Sequence, residues 1–196
     1  MRKCLVFDVD GVLLNFAGPF STWWNRLFSV QHKVTFDANP AVWNFDARWP
    51  ERELQPYVDN FIATSPFLPL VSSDIPDHLA ALQRRYDIHL VTAWPVKWSS
   101  DRIQNLLSHG IYYDTLEFVD PAKATDRKLE AIQLLQPLAV VEDKPKTIAQ
   151  VAAAGYNVLA PSQWTYVQNA FADKPGRVVL YKDWAQLRDE IDCLKN

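Results

Sequence analysis

The strongest constraint on the fold is a set of short, continuous apolar runs separated by helical patterns. The runs cover residues 3–9, 87–93, 116–120, 138–143 and 156–161. A run that is apolar at nearly every position predicts a strand buried on both faces, as in a parallel sheet. Strands that alternate with helices at this spacing predict helices on both faces of that sheet. The sequence therefore indicates an α/β fold with a Rossmann-like parallel sheet.

Helical patterns fill the intervals between the later runs. They cover residues 77–86, 100–110, 126–135 and 145–155. Gly110 and Gly155 end two of these patterns, and glycine is the residue that most often ends a helix in the left-handed conformation. The tail, residues 177–194, predicts a short edge strand followed by a closing helix.

Residues 15–76 interrupt the alternation of strand and helix. This segment is rich in aromatic residues and proline, and it holds two short helical patterns, near 19–30 and 51–63. An insertion after the first strand emerges at the carboxyl edge of the sheet, where open α/β folds bind ligands. We therefore interpret 15–76 as a small, mostly helical cap, inserted into a core domain formed by 1–14 and 77–196.

Composition excludes several classes of protein. With 196 residues and a net charge of −3, the chain suits one domain with an insertion and does not suit a protein that coats a nucleic acid polymer. Cys4 and Cys193 lie at opposite ends of the chain and form no disulfide framework. Asp8 and Asp10 break the first apolar run, so it resembles neither a signal peptide nor a membrane span. We expect a cytoplasmic protein whose partner is neither nucleic acid polymer nor membrane; its oligomeric state is unknown.

The first apolar run ends in two acidic residues, Asp8 and Asp10, followed by Gly11. Charged side chains at the end of a buried strand are costly unless they are paired or bind a metal. Side chains at i and i+2 lie on the same side of a strand, so both carboxylates can point into one space. Oxygen ligands select a hard cation, and we expect Mg²⁺. For this pair alone, a surface turn is the alternative, since Asp-Gly pairs often form one.

A second acidic pair strengthens the metal-site interpretation. Glu142 and Asp143 end the fourth apolar run. Carboxyl ends of parallel strands meet at one edge of the sheet, so this pair is expected to face Asp8 and Asp10.

Other residues at the same predicted edge can bind a phosphate group. Thr92 ends the second run, and two lysines, Lys123 and Lys128, lie just before or within the helix that leads to the fourth run. Trp94 and Trp98 follow Thr92 and are well placed to touch a substrate. Acids, a hydroxyl and a lysine at one edge can hold Mg²⁺ and a phosphate together.

These motifs resemble those of the haloacid dehalogenase-like phosphohydrolase superfamily. "DVDGVL" is similar to its first motif, "HLVTA" to its second, a lysine to its third and "VVEDKP" to its fourth, in that order over residues 8–143. An early helical cap and an acid-Asp-Lys fourth motif look most like the 5'(3')-deoxyribonucleotidase-type members.

The resemblance implies two catalytic aspartates. Asp8 would be the nucleophile that attacks phosphorus and forms an aspartyl-phosphate. Asp10 would protonate the leaving oxygen and then activate the water that hydrolyses the intermediate, while its backbone carbonyl binds Mg²⁺.

The resemblance also implies the binding residues. Thr92 and Lys128 would hold the phosphoryl oxygens, with Lys123 as the alternative lysine. Asp143 would complete the Mg²⁺ ligands, and Glu142 would be either a ligand or a neighbour that supports one.

The expected function is Mg²⁺-dependent hydrolysis of a small phosphomonoester. Nucleoside monophosphates are favoured because aromatic side chains in the cap can stack on a base. The cap tryptophans, however, are expected mainly to form the core of the cap; they are Trp23, Trp24, Trp43 and Trp49. Two alternatives stay open. One is a phosphotransferase, or a sugar or protein phosphatase, of the same fold; the other is a non-catalytic binding protein that keeps the fold.

Overall fold

The computed structural model describes residues 2–28, 51–172 and 176–194, with only the backbone given for 51–54. The strands are β1 (Cys4–Phe7), β2 (Asp87–Thr92), β3 (Thr115–Phe118), β4 (Ala139–Val141), β5 (Val158–Pro161) and β6 (Val178–Tyr181). The helices are α1 (Ala17–Leu27), α2 (Glu51–Thr64), α3 (Ile75–Gln83), α4 (Ser99–Ser108), α5 (Ala124–Leu135), α6 (Pro145–Ala153), α7 (Thr165–Phe171) and α8 (Trp184–Cys193). Within the described ranges, none of the helices has the length and apolar character that a membrane crossing requires.

The strands form one parallel sheet in the order β3-β2-β1-β4-β5-β6. β1 lies in the middle, and its last residue, Phe7, is paired with Leu90 on one side and Val141 on the other. The chain builds the sheet outward from β1 in one direction and from β4 in the other. The gap between the carboxyl ends of β1 and β4 is therefore the topological switch point, where open α/β sheets bind ligands.

Both faces of the sheet are covered, which explains why its strands are apolar at successive positions. Leu5 and Phe7 belong to the core on one face, where the Phe7 ring stacks on Trp184 of α8. Val6 belongs to the core on the other face, together with residues of α5, α6 and α7 such as Ile148. The parallel, doubly covered sheet that the sequence predicts is confirmed.

Four of the five predicted strands extend one or two residues past the carboxyl ends of the structural strands, and this matters for the site. β1 ends at Phe7 and β4 ends at Val141, so the two acidic pairs stand on the loops just beyond the sheet. The predicted edge strand and closing helix of the tail are confirmed as β6 and α8. Helix α7 has no counterpart among the predicted helical patterns.

The inserted segment leaves and re-enters the core at neighbouring points. Leu14 and Leu70 form an antiparallel bridge, and the Asn15 N–H donates to the Pro69 carbonyl at 2.8 Å. Helices α1 and α2 occupy positions close to the two predicted cap helices. That residues 15–76 form a cap separate from the core stays a prediction.

Rings on α1, on the two residues that flank it and on α2 pack into one cluster, which we call the aromatic cluster of α1 and α2. Its members are Phe16, Phe20, Trp23, Trp24, Phe28, Tyr57 and Phe61. Trp24 is fully buried in this cluster, as expected for a residue of the cap core, whereas Trp23 is only partly buried. Trp43 and Trp49 lie outside the described residues.

Candidate active site

Asp8 lies directly after β1 and faces a buried lysine. Its Oδ2 is 2.7 Å from the Nζ of Lys128, and its Oδ1 accepts the Val9 N–H at 2.7 Å. Lys128 lies on α5, where its side chain is 5% exposed, and its Nζ is also 2.8 Å from Oε2 of Glu142. One ammonium group thus bridges the carboxylates that follow β1 and β4. Lys123, the alternative lysine, is exposed.

The two acids after β4 have different surroundings. Glu142 has both oxygens engaged: Oε2 by Lys128, and Oε1 by the N–H groups of Asp143 and Lys144 at 3.2 and 2.9 Å. Asp143 accepts a hydrogen bond on Oδ2 from the Tyr166 hydroxyl. Its Oδ1 is buried and has no hydrogen-bond partner among the described residues. Asp143 therefore offers an unused acceptor, and Glu142 does not.

Gly11 allows the loop after β1 to approach Asp143 closely. Its φ is +85°, a conformation that strains other residues, and a Cβ at this position would lie 2.1 Å from Oδ2 of Asp143. The Gly11 carbonyl accepts a hydrogen bond from the Trp164 indole at 2.6 Å. This hydrogen bond attaches the turn that follows the two aspartates to the loop between β5 and α7.

Asp10 faces the opposite side, towards β2 and α4. Its Oδ1 accepts a hydrogen bond from the guanidinium of Arg102 at 2.8 Å, and the Thr92 hydroxyl lies 3.5 Å from its Oδ2. Arg102 is fully buried and stacks over the ring of Trp94, with 3.5 Å between the guanidinium carbon and the ring centroid. Trp94 is 2% exposed, so it supports Arg102 and is not open to a substrate as the sequence suggested.

Burial and mutual repulsion shape the protonation of these acids. Burial, followed by the charge of Glu142, raises the pKa values of Asp8 and Asp143 well above the usual range of aspartate. Burial alone would raise the pKa of Glu142 too, but Lys128 lowers it. Burial would lower the pKa of Lys128, and the charges of Asp8 and Glu142 raise it instead. Lys128 therefore does not compensate for the burial and mutual repulsion of Asp8 and Asp143.

The donors present fit a divalent cation. Asp8, Glu142 and Asp143 each bring a carboxylate oxygen to within 4.8 Å of the others. When all are ionised, these three residues and Asp10 carry four negative charges, against one each on Lys128 and Arg102, which leaves a formal charge of −2 on these six residues. All the donors are oxygens, as Mg²⁺ prefers, and Oδ1 of Asp143 is a ligand position that no group of the described residues occupies.

The structure brings all the predicted site residues to one edge of the sheet and adds two that the sequence analysis missed. Arg102 lies on the face of α4 that also buries Asn105 and Leu106. Its helical spacing from those two residues was the feature of the sequence that could have indicated its burial. Tyr166 follows β5, whose carboxyl end lies at the same edge. Polar side chains after a strand end, or on a buried helix face, are the features that would have identified both.

Solved structures with the same architecture are numerous. A protein described as a predicted phosphatase from Clostridium acetobutylicum superposes with a TM-score of 0.70 at 13% identity, over 97% of this chain and 98% of that one. A haloacid dehalogenase-like family hydrolase from Streptococcus pneumoniae has a TM-score of 0.67 at 16% identity, over 96% and 98%. The chain has the haloacid dehalogenase-like fold.

A third similar structure is a haloacid dehalogenase hydrolase, family IA variant 3, from Entamoeba histolytica. It has a TM-score of 0.64 at 15% identity, over 99% of this chain and all of that one. The chain matches no protein-family model and has no significant match among curated proteins. At this level of identity the similarity establishes the fold, and the function must be argued from the site.

Proposed function

We propose that the protein is a Mg²⁺-dependent phosphohydrolase that cleaves a small phosphomonoester through an aspartyl-phosphate on Asp8. The observation that carries the proposal is the buried Lys128, which contacts both Asp8 and Glu142 beside the unused Oδ1 of Asp143. A nucleophile, a phosphate-binding cation and a vacant oxygen ligand then stand within a few ångströms at the switch point of the sheet. The names of structures with this fold, hydrolase and phosphatase among them, agree with the proposal.

Two aspartates divide the chemistry. Asp10 enters the step protonated, a form that burial favours because it raises the pKa of Asp10. Asp8 attacks phosphorus, the bond from phosphorus to the ester oxygen breaks, and the departing oxygen takes the bonding electrons and the proton from Asp10. A water molecule then attacks phosphorus and gives a proton back to Asp10. The bond from phosphorus to Asp8 breaks, which releases inorganic phosphate and restores both carboxyl groups to their starting states.

The remaining polar residues bind and neutralise. Lys128 and the Thr92 hydroxyl hold the phosphoryl oxygens, so an anionic nucleophile can approach an anionic substrate. Asp8, Asp143 and the backbone carbonyl of Asp10 would hold Mg²⁺, which when bound supplies further charge neutralisation at the phosphate. Glu142 accepts hydrogen bonds from Lys128 and two backbone N–H groups, one more than Asp8 accepts among the described residues, so its main role in this proposal is to hold Lys128 in place.

Nucleoside monophosphates are the substrates we favour. The aromatic cluster of α1 and α2 begins at Phe16, six residues after Asp10 in the sequence, and Phe16 and Trp23 keep part of their rings accessible. Partly exposed aromatic rings in the segment that follows Asp10 can stack on a nucleobase. The proposal also includes that the protein is located in the cytoplasm and that its partner is a small phosphorylated substrate.

A substrate panel tests the proposed function. Purified protein is incubated with nucleoside monophosphates, sugar phosphates and a phosphopeptide, with Mg²⁺ or with EDTA, and phosphate release is measured. We expect release that requires Mg²⁺ and is fastest for a nucleoside monophosphate. An acceptor alcohol that becomes phosphorylated would favour transfer over hydrolysis. No Mg²⁺-dependent turnover of any ester would contradict the proposal and favour a non-catalytic binding protein.

The nucleophile is tested by Asp8→Asn, with Asp87→Asn as the matched control. Asp8→Asn removes the attacking carboxylate, so kcat is expected to fall by at least about 10⁴-fold. Asp87 begins β2 at the opposite edge of the sheet and pairs with Arg2, so the same change there should leave turnover intact. Turnover by the Asp8→Asn protein at the wild-type rate would remove Asp8 from the role.

A further inference from the structure

Arg102 is a buried cation that the proposed chemistry does not yet use. Its side chain is fully buried on α4, and one of its terminal nitrogens donates to Oδ1 of Asp10 at 2.8 Å. The other two guanidinium nitrogens, Nε and Nη1, are buried and have no hydrogen-bond partner among the described residues. A buried arginine that leaves two donors unpaired carries a desolvation cost, so charge neutralisation alone is a poor reason for its presence.

The plane of the guanidinium is fixed by the ring beneath it. The guanidinium carbon lies 3.5 Å from the centroid of Trp94. The Trp94 ring is itself held, because its indole N–H donates to the Trp98 carbonyl at 3.2 Å and its backbone N–H donates to the Thr92 hydroxyl at 3.2 Å. Only a planar cation combines stacking on a ring with a directed hydrogen bond to a carboxylate, and a lysine cannot replace it.

The helix that carries Arg102 is anchored as well. One turn further on, the buried Asn105 accepts the Leu68 N–H at 2.8 Å and donates to the Leu68 carbonyl at 3.0 Å. His109 contacts the same carbonyl at 2.8 Å through its Nε2. Arg102 therefore extends from a helix that is attached to the chain where it returns from the inserted segment, and its position relative to Asp10 is set by groups outside the site.

We propose that Arg102, supported by Trp94, is a positioning residue that dictates which oxygen of Asp10 exchanges the proton. This proposal rests on the proposed function. The Arg102 guanidinium occupies Oδ1, and Oδ2, next to the Thr92 hydroxyl, is the oxygen left to serve the substrate. In the first step Oδ2 gives its proton to the ester oxygen as the bond from phosphorus to that oxygen breaks and the electron pair leaves with the alcohol.

A pair of esters of similar size separates this role from a merely structural one. The leaving group of para-nitrophenyl phosphate is a stabilised anion that needs no proton, whereas that of benzyl phosphate is an alkoxide that does need one. The measured quantity is kcat/KM for each ester, because it covers only the steps up to departure of the alcohol. Melting temperature and circular dichroism record whether each variant is folded.

The variants are Arg102→Met and Arg102→Lys, with Arg85→Met as the matched control. Arg102→Met removes the cation at similar length, and Arg102→Lys keeps the charge without the planar fork, so at least the second should fold. Arg85 also pairs with a carboxylate, that of Asp192 at 2.8 Å, and lies over the ring of Tyr86, but it is at the surface. Loss of the Arg85 side chain should leave kcat/KM unchanged for both esters.

For both Arg102 variants we expect kcat/KM on benzyl phosphate to fall by about 100-fold or more, and on para-nitrophenyl phosphate by about 10-fold or less. The ratio of the two rates therefore changes by at least about 10-fold. Folded variants that keep the wild-type ratio, including an Arg102→Lys protein equal to wild type on both esters, would overturn the proposal while leaving the phosphatase function standing. Turnover of neither ester by the wild-type protein would overturn the proposed function, and this proposal with it.

Discussion

The two halves of the site differ in their balance of charge. The half between β1 and β4 gathers Asp8, Glu142 and Asp143, and these carboxylates outnumber the lysine, Lys128, that bridges two of them, so this half has an excess of negative charge when its acids are ionised. The half between β1 and β2 pairs Asp10 with Arg102, so its charge is balanced when Asp10 is ionised. An excess of carboxylate groups favours the binding of a metal ion, whereas an ion pair with balanced charge fixes the orientation of its carboxylate. The comparison teaches that one loop after β1 presents clustered carboxylates on one side and a paired carboxylate on the other. Under the proposed function, the first side would bind metal and phosphate and the second would transfer a proton, so we call them the metal half and the proton-transfer half.

The largest expected effect separates the two cations by their contribution to stability. Lys128→Met leaves two buried carboxylates without a cation, and breaking a buried ion pair in this way costs about 3–5 kcal/mol of unfolding free energy. Arg102→Met should cost about 2 kcal/mol or less, because the Asp10 side chain is 18% exposed and recovers part of its hydration. Urea unfolding in EDTA measures both without a contribution from bound metal. Equal losses of unfolding free energy in the two variants would contradict the difference in charge balance between the two halves.

The next effect concerns Gly11, which lies between the halves. Gly11→Ala strains the backbone and drives a methyl group into Asp143, so we expect a loss of about 2–4 kcal/mol of unfolding free energy and weaker Mg²⁺ binding. Gly110→Ala is the matched control: its φ is +72°, but a Cβ there meets nothing within 4 Å. The control should lose only about 1 kcal/mol and bind Mg²⁺ normally. Similar behaviour of the two variants in calorimetric Mg²⁺ titration would show that Gly11 has no special contact.

The smallest effect tests the support behind the metal half. Tyr166→Phe removes the hydroxyl that holds Oδ2 of Asp143, so the carboxylate is less well oriented, and Mg²⁺ affinity should fall by about 10-fold. Tyr112→Phe, at a residue that is 64% exposed, is the control. Isothermal titration of each variant with Mg²⁺ measures the difference. An unchanged affinity in Tyr166→Phe would mean that Asp143 is oriented without its help.

Much of the metal half could be predicted from the sequence, because it depends on topology alone. Carboxyl ends of parallel strands share one edge, so the acids after β1 and β4 had to meet once the strands were assigned. Lys128 could not be separated from Lys123 by pattern, since the choice depends on which side chain α5 turns inward. The structure buries Lys128 and leaves Lys123 exposed.

The proton-transfer half was only partly predictable. Asp10 and Thr92 follow strand ends, but Arg102 belongs to a helix, where an arginine is usually solvated. Its burial depends on the docking of α4 and on the Trp94 ring, which are tertiary facts that no local pattern contains. The aromatic cluster of α1 and α2 illustrates the same limit, because composition predicted a packed cap but not which rings would pack together.

The central claim is that Asp8, in the half with excess negative charge, carries the phosphoryl group during turnover. The direct measurement is an acid quench of the protein milliseconds after it is mixed with radiolabelled substrate and Mg²⁺, followed by peptide mapping. We predict label on the peptide that contains Asp8, none when EDTA replaces Mg²⁺, and none in the Asp8→Asn protein. Substrate hydrolysis with no labelled protein at any time, or label on a peptide that lacks Asp8, would contradict it.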